Sequence, residues 1–131
     1  MKITRFEDLK AWKAAREAAA RVSRICESQK MDSDPNLRRQ MTNASTSAMA
    51  NIAEGFKSGS DREFIRFLKI ARRSAAEVQS HLYVALDRAW IKQDNFDPVY
   101  QACDDTMGLI GGLIRYLSRP RRPGSRPRTA D

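Results

Sequence analysis

The chain has 131 residues, 41% of them hydrophobic and 31% charged, which fits one domain that buries its own core without disulfide staples. No apolar run approaches the roughly 18 residues of a bilayer span, and Met1-Lys2-Ile3-Thr4-Arg5 leads into charged residues, so neither a membrane segment nor a signal peptide is expected. The formal net charge is +8, half of it between Arg119 and Asp131, a balance that admits phosphate-bearing or acidic partners without proving either.

In chain order, Leu9, Trp12, Ala15, Ala19, Val22 and Cys26 recur at spacings of three and four, which predicts a first amphipathic helix. Thr4 with Glu7 reads as its capping box, with Asp8 as a rival cap. Ser28 to Asp34 reads as polar and ends it. Asp34-Pro35 places a side-chain acceptor at the N-cap and proline at the first helical position, so a second helix starts there. Leu37, Met41, Ala44, Ala48, Ile52 and Phe56 form its stripe, and Gly59 closes it in a left-handed conformation. Ser60-Asp61-Arg62-Glu63 is the best capping box in the chain and opens a third helix over about residues 61–90. Its apolar face runs through Phe64, Phe67, Leu68, Ala71, Ala75, Val78, Leu82, Ala85 and Leu86. Asp97-Pro98 repeats the start signal for a fourth helix, lined by Val99, Cys103, Met107, Ile110, Ile114 and Leu117 and stopped by Pro120.

No stretch alternates with period two, so strands do not fit. Short connections between four amphipathic helices make neighbours antiparallel. The fold class expected is all-α: an antiparallel up-down-up-down four-helix bundle over residues 1–118, with a turn of two or three residues between helices two and three. Residues 119–131 are expected to form a disordered basic C-terminal tail, rich in proline and arginine and too poor in apolar residues to order alone. Helix one is rich in alanine, and helix four carries Gly108, Gly111 and Gly112. Such small residues suit close backbone approach, within the bundle or between subunits.

No catalytic set emerges. The single histidine, His81, lies four residues after Glu77, where the two meet as a structural pair. One histidine excludes a di-iron bundle site and a finger-type zinc site. No glycine-rich phosphate loop follows a strand. Cys26 and Cys103 occupy apolar positions and read as reduced core thiols of a cytoplasmic protein. No cofactor, metal or catalytic residue is assigned.

Two surface patterns remain. Ser47, Asn51 and Glu54 share one helical face beside Ala48 and Ile52, so partly buried polar groups must find partners. Helix three offers Ser74, Arg72, Arg73 and Glu77. The bland reading is a network that fixes helix register, and the sharper one a ligand or nucleotide contact. Gly55 lets another backbone or side chain come close. Arg62, Arg66, Lys69 and Arg73 follow spacings of four, three and four, so they project together, flanked by Arg72. They form either a solvated face partly paired with Asp61, Glu63 and Glu77, or a phosphate-contacting row. Phe64 and Phe67 point to the core, so base stacking on this row is not expected. Arg121, Arg122, Arg126 and Arg128 make the tail a candidate phosphate-contacting arm, against the bland reading of a solvated tail.

Phe6-Glu7-Asp8-Leu9 with Trp12, the Ser47-x-x-x-Asn51-Ile52-Ala53-Glu54-Gly55 string, Glu63-Phe64-x-x-Phe67-Leu68-x-Ile70-Ala71, Ser74 and Glu77 resemble the bacterial 23S rRNA-intervening sequence proteins over about residues 6–117. The resemblance implies a cytoplasmic four-helix up-and-down bundle with no established enzymatic activity. A related group, the accessory proteins of diversity-generating retroelements, forms five-membered rings that bind nucleic acid and a reverse transcriptase. The resemblance therefore implies a homo-oligomer, with a pentameric ring as the expected form. Around Trp90 to Asn95 the chain lacks the glycine usual in the family, and the Pro-Arg tail is not a family hallmark.

Three functions compete on the residues. The first is a non-enzymatic oligomeric module contacting RNA or a ribonucleoprotein through Arg62, Arg66, Lys69, Arg73 and the tail. The second is a scaffold for an acidic protein partner, without nucleic acid. The third, ranked last, is an enzyme assembled from Glu54, Glu77 and His81. Tyr83, Trp90 and Tyr116, left over from the core stripes, are candidates for a subunit interface.

Overall fold

The computed structural model describes residues 2–120. Among them are four α-helices: α1 (Lys10–Cys26), α2 (Pro35–Phe56), α3 (Asp61–Asp87) and α4 (Gln93–Leu117), with no strand. Each packs against its neighbours in the chain, and α1 closes the set against α4. The ends of α1 and α3 share one core cluster with the starts of α2 and α4, and the starts of α1 and α3 share the other with the ends of α2 and α4, so neighbouring helices run antiparallel. Cys26 meets Thr42, Ser47 meets Ser74, and Gln79 meets Asp104.

The core has two ends. Val22, Met31, Met41, Leu82 and Cys103 belong to one. Ile52, Phe64, Leu68 and Ile110 belong to the other, and all nine are essentially inaccessible. The buried hydroxyls are satisfied within their own helices: Ser45 donates to the Thr42 carbonyl at 2.9 Å and Thr106 to that of Ala102 at 2.8 Å, as burial requires. The α2 stripe from Leu37 to Phe56 is buried throughout. Elsewhere the predicted stripes shift slightly. Trp12, Ala19, Phe67, Leu86, Met107 and Ile114 are only half-buried, while Ala11, Ala18, Ile25 and Phe96 lie inside.

Several boundaries differ from the sequence expectation. The Thr4–Glu7 box does not form. Phe6–Asp8 is a 3-10 turn, and α1 starts after Leu9 with no side-chain cap. The polar-looking 28–34 link folds as a second 3-10 turn, Gln29–Ser33, because Met31 drops into the core. The connection from α2 to α3 takes residues 57–60, with Gly59 at φ +89°. The Ser60 Oγ accepts the Glu63 N–H at 3.1 Å, while the Glu63 side chain turns to Arg66 and does not complete the box. The fourth helix begins at Gln93, so Pro98 sits inside it.

The end of α3 is a Schellman motif built without glycine. The Trp90 N–H donates to the Ala85 carbonyl at 2.9 Å and the Ala89 N–H to that of Leu86 at 3.0 Å, which is the 6→1, 5→2 pattern. The left-handed position falls on Ala89, at φ +62°. A Cβ there costs about 1–2 kcal/mol. Glycine at this site relieves that, less its greater unfolded-chain freedom. Ala89→Gly is therefore expected to stabilise the fold by about 0.5–1 kcal/mol, read as a rise of a few degrees in Tm.

Candidate nucleic-acid interface

The N-terminal half of α3 presents Arg62, Arg66, Lys69 and Arg73, all exposed. The first three rim a shallow depression of about 710 Å³ whose apolar floor is Ile65 and, from the end of α4, Leu117. Asp61 and Glu63 share the rim. Glu63 is spoken for: Arg66 reaches it with Nη2 at 3.0 Å and Nε at 3.2 and 3.3 Å. The Arg66 hydrogen bonds, with lesser help from the charge of Arg62, hold the Glu63 carboxyl below the usual carboxylate range. The same guanidinium lies over the Phe67 ring at 4.5 Å. An exposed pair of this kind contributes little stability but fixes Arg66 in place.

Arg62, Lys69 and Arg73 form no salt bridge among the described residues. Three cations outside any salt bridge, of which Arg62 still feels the charge of Glu63, and one tethered guanidinium thus line one face. The floor offers aliphatic side chains and no exposed ring, so the arrangement suits contact with a charged backbone and not base stacking. Nothing in the sequence marks Leu117 as part of this patch, because it arrives from another helix. Arg121, Arg122, Arg126 and Arg128 lie outside the described residues.

The polar string on α2 divides. Ser47 and Ser74 join α2 to α3 through an Oγ···Oγ bond of 3.1 Å. Asn51 donates from Nδ2 to the Ser47 carbonyl at 2.8 Å and to its Oγ at 3.1 Å. Glu54 is exposed and joins none of these bonds. Glu77 faces away, toward His81 at 3.4 Å, so the Glu54, Glu77 and His81 trio is not brought together. Arg72 and Arg73 make no bond to this string. Gly55 marks the close approach of the hairpin: a Cβ there would lie 2.7 Å from the Phe67 Cβ. Among the described residues no group of three His, Cys, Asp or Glu side chains is placed to hold a metal, and no helix is long and apolar enough to cross a membrane.

Two clusters escaped the sequence reading. Asp34 caps α2 by accepting the Leu37 N–H at 3.2 Å and also takes Arg88 and, at 3.2 Å, the Trp90 indole N–H. Trp90 is thereby tied inside the bundle. Tyr83 and Tyr100 form an aromatic cluster with Phe96. Of the leftover aromatics only Tyr83 is strongly exposed, at 50%.

A family model described as 23S rRNA-intervening sequence protein matches residues 7–112. A 1.70 Å crystal structure from Bacteroides thetaiotaomicron, of a protein with unknown function from the S23 ribosomal protein family, superposes with a TM-score of 0.73. It is 20% identical to this chain and the alignment covers 80% of this chain and 98% of that one, a likeness of fold. Among curated proteins none matches.

Proposed function

Starting from the fact that the chain belongs to the 23S rRNA-intervening sequence protein family, we propose that it is a non-enzymatic, self-associating bundle that contacts RNA through the basic face of α3. The observation that carries this reading is the row Arg62, Lys69 and Arg73, exposed and in no salt bridge among the described residues, beside the tethered Arg66. Phosphates lower the energy of such a row, and with no exposed ring beside it among the described residues the contact is to the backbone and independent of sequence.

The test is fluorescence anisotropy of the full chain against two unrelated RNAs, titrated with salt. Four phosphate contacts give a log–log salt slope of about −3, so affinity falls about fifty-fold between about 50 and 200 mM salt. The triple variant Arg62→Gln, Lys69→Gln, Arg73→Gln is expected to flatten that slope by about 2 and to weaken both RNAs equally. Binding that ignores salt, or that survives the triple variant unchanged, overturns the reading. A partner that persists through nuclease treatment would then point to an acidic protein on the same face. Self-association rests on the family resemblance. Light scattering after size exclusion tests it separately, and a monomer removes the ring without touching the RNA result.

A further inference from the structure

The outer face of α4 is acidic. Between Lys92 and Arg115 the helix carries Asp94, Asp97, Asp104 and Asp105 and no lysine or arginine, all four exposed. Asp97, Asp104 and Asp105 each accept one neutral amide donor, from Gln93 at 2.6 Å, Gln79 at 2.7 Å and Gln101 at 2.9 Å. Each of these three bonds uses one oxygen, and no cation pairs with any of the four among the described residues. The nearby cations of α1, Arg21 and Arg24, are both drawn to Glu17.

An open aromatic surface borders these carboxylates. Tyr83 packs edge-on against Phe96 at 4.9 Å and Tyr100 at 5.9 Å, yet half of it remains exposed. Rings next to unpaired carboxylates suit a guanidinium, which takes both a cation–π contact and a charged hydrogen bond. Further along α4 the surface is bare. Nothing lies within 4 Å of a Cβ built on Gly108, and Gly111 and Gly112 see only the Arg115 side chain. Mid-helix glycines cost about 1 kcal/mol each relative to alanine, and no packing within the described bundle requires these three.

We propose that this face is the docking surface for the chain's own arginine-bearing segment after Pro120. Distances set the register. From Leu117 back to Asp104 the helix rises about 20 Å, and to Tyr100 about 26 Å. An extended proline-containing chain covers about 19 Å from Pro120 to Arg126 and about 25 Å to Arg128. Folded back along α4, the segment brings Arg126 to Asp104 and Asp105. Arg128 arrives at the Tyr83–Tyr100 rings. Docking of this segment is independent of RNA binding by α3.

The test is paramagnetic broadening in the full chain carrying a spin label at Ala130→Cys. Cys26 and Cys103 are buried, and burial pushes both thiols up, Cys103 to about 12, so the label goes to the new site. At low salt the amides of residues 97–105 are expected to lose intensity while those of 39–43 on α2 keep theirs. The loss should vanish in 1 M salt, where screening acts within about 3 Å. It should also vanish in Asp97→Asn, Asp104→Asn, Asp105→Asn and, with the folded part untouched, in Arg126→Ser, Arg128→Ser. Uniform broadening, or none, overturns the proposal. So does equal broadening of an isotope-labelled chain by a separate spin-labelled one, which would assign the face to the segment of a second copy.

Discussion

Gly55→Val is expected to cost about 3 kcal/mol of stability, at the upper end of what overpacking a close contact does. A Cβ at Gly55 would sit 2.7 Å from the Phe67 Cβ, 3.0 Å from Phe64 Cδ1 and 3.3 Å from the Phe64 carbonyl oxygen. Two of those three atoms are fixed to the α3 backbone, so no rotamer change relieves the clash and the helices must separate. Separation here opens the buried end of the core around Ile52, Phe56, Phe64 and Leu68. It also loosens the edge-to-face pair of Phe56 and Phe64, now 6.0 Å apart. Gly55→Ala should cost less, about 1–2 kcal/mol, because the recovered helix propensity offsets part of the strain. Urea unfolding at unchanged m-value measures both, and a stabilised alanine variant would show that the hairpin does not need this approach. Phe67 carries the Arg66 guanidinium on its face, so moving α3 at Gly55 also shifts one member of the basic row.

The sequence marks Gly55 as a place where another backbone or side chain can come close, because a helix-weakening glycine on an apolar stripe is a local signal. That the neighbours are Phe64 and Phe67 of α3 comes from the structure. The basic row is a local signal too, since its members share a face by periodicity alone. Partner identity was less legible. Ser74 meets Ser47, but Glu54 and Glu77, at equally suitable spacings, point elsewhere, since helical phase says which face a residue occupies and not how the neighbouring helix is rotated. The start of α4 misled for a different reason. Asp97-Pro98 copies the signal of Asp34-Pro35, yet Phe96 must be buried against Tyr83 and Tyr100. That requirement extends the helix back to Gln93 and leaves Pro98 in its second turn, at the cost of one backbone bond. Ala89 shows the converse: the motif that usually recruits glycine forms without it, because the Trp90 side chain is anchored from the far side of the bundle.

That anchor supplies the other large effect. Asp34→Ala is expected to lower Tm on the order of 10 °C, since one residue caps a helix and satisfies a half-buried indole at once. Oδ1 holds the Leu37 N–H, which starts α2. Oδ2 takes the Trp90 Nε1 and Arg88, which fix the end of α3. Two helix termini, 54 residues apart at Asp34 and Arg88, thus depend on one carboxylate. Burial alone would push this carboxyl up. The Leu37 N–H, the Trp90 indole and Arg88 outweigh it and hold the group below its ordinary value of 3.8. A depressed folded-state value means the contribution is fully present above the unfolded value and is lost as pH falls through the folded one. Asp34→Asn keeps one acceptor oxygen, enough for the Leu37 N–H, but loses both the charge and the second acceptor that face Arg88 and the Trp90 indole. It should therefore be less destabilised than the alanine variant at neutral pH, and its stability should fall less than that of the wild type as pH drops below about 4. Thermal melts of the three proteins from neutral pH to acid measure this. Parallel curves for wild type and Asp34→Asn would mean that the negative charge adds nothing and that geometry alone holds the two helix ends together.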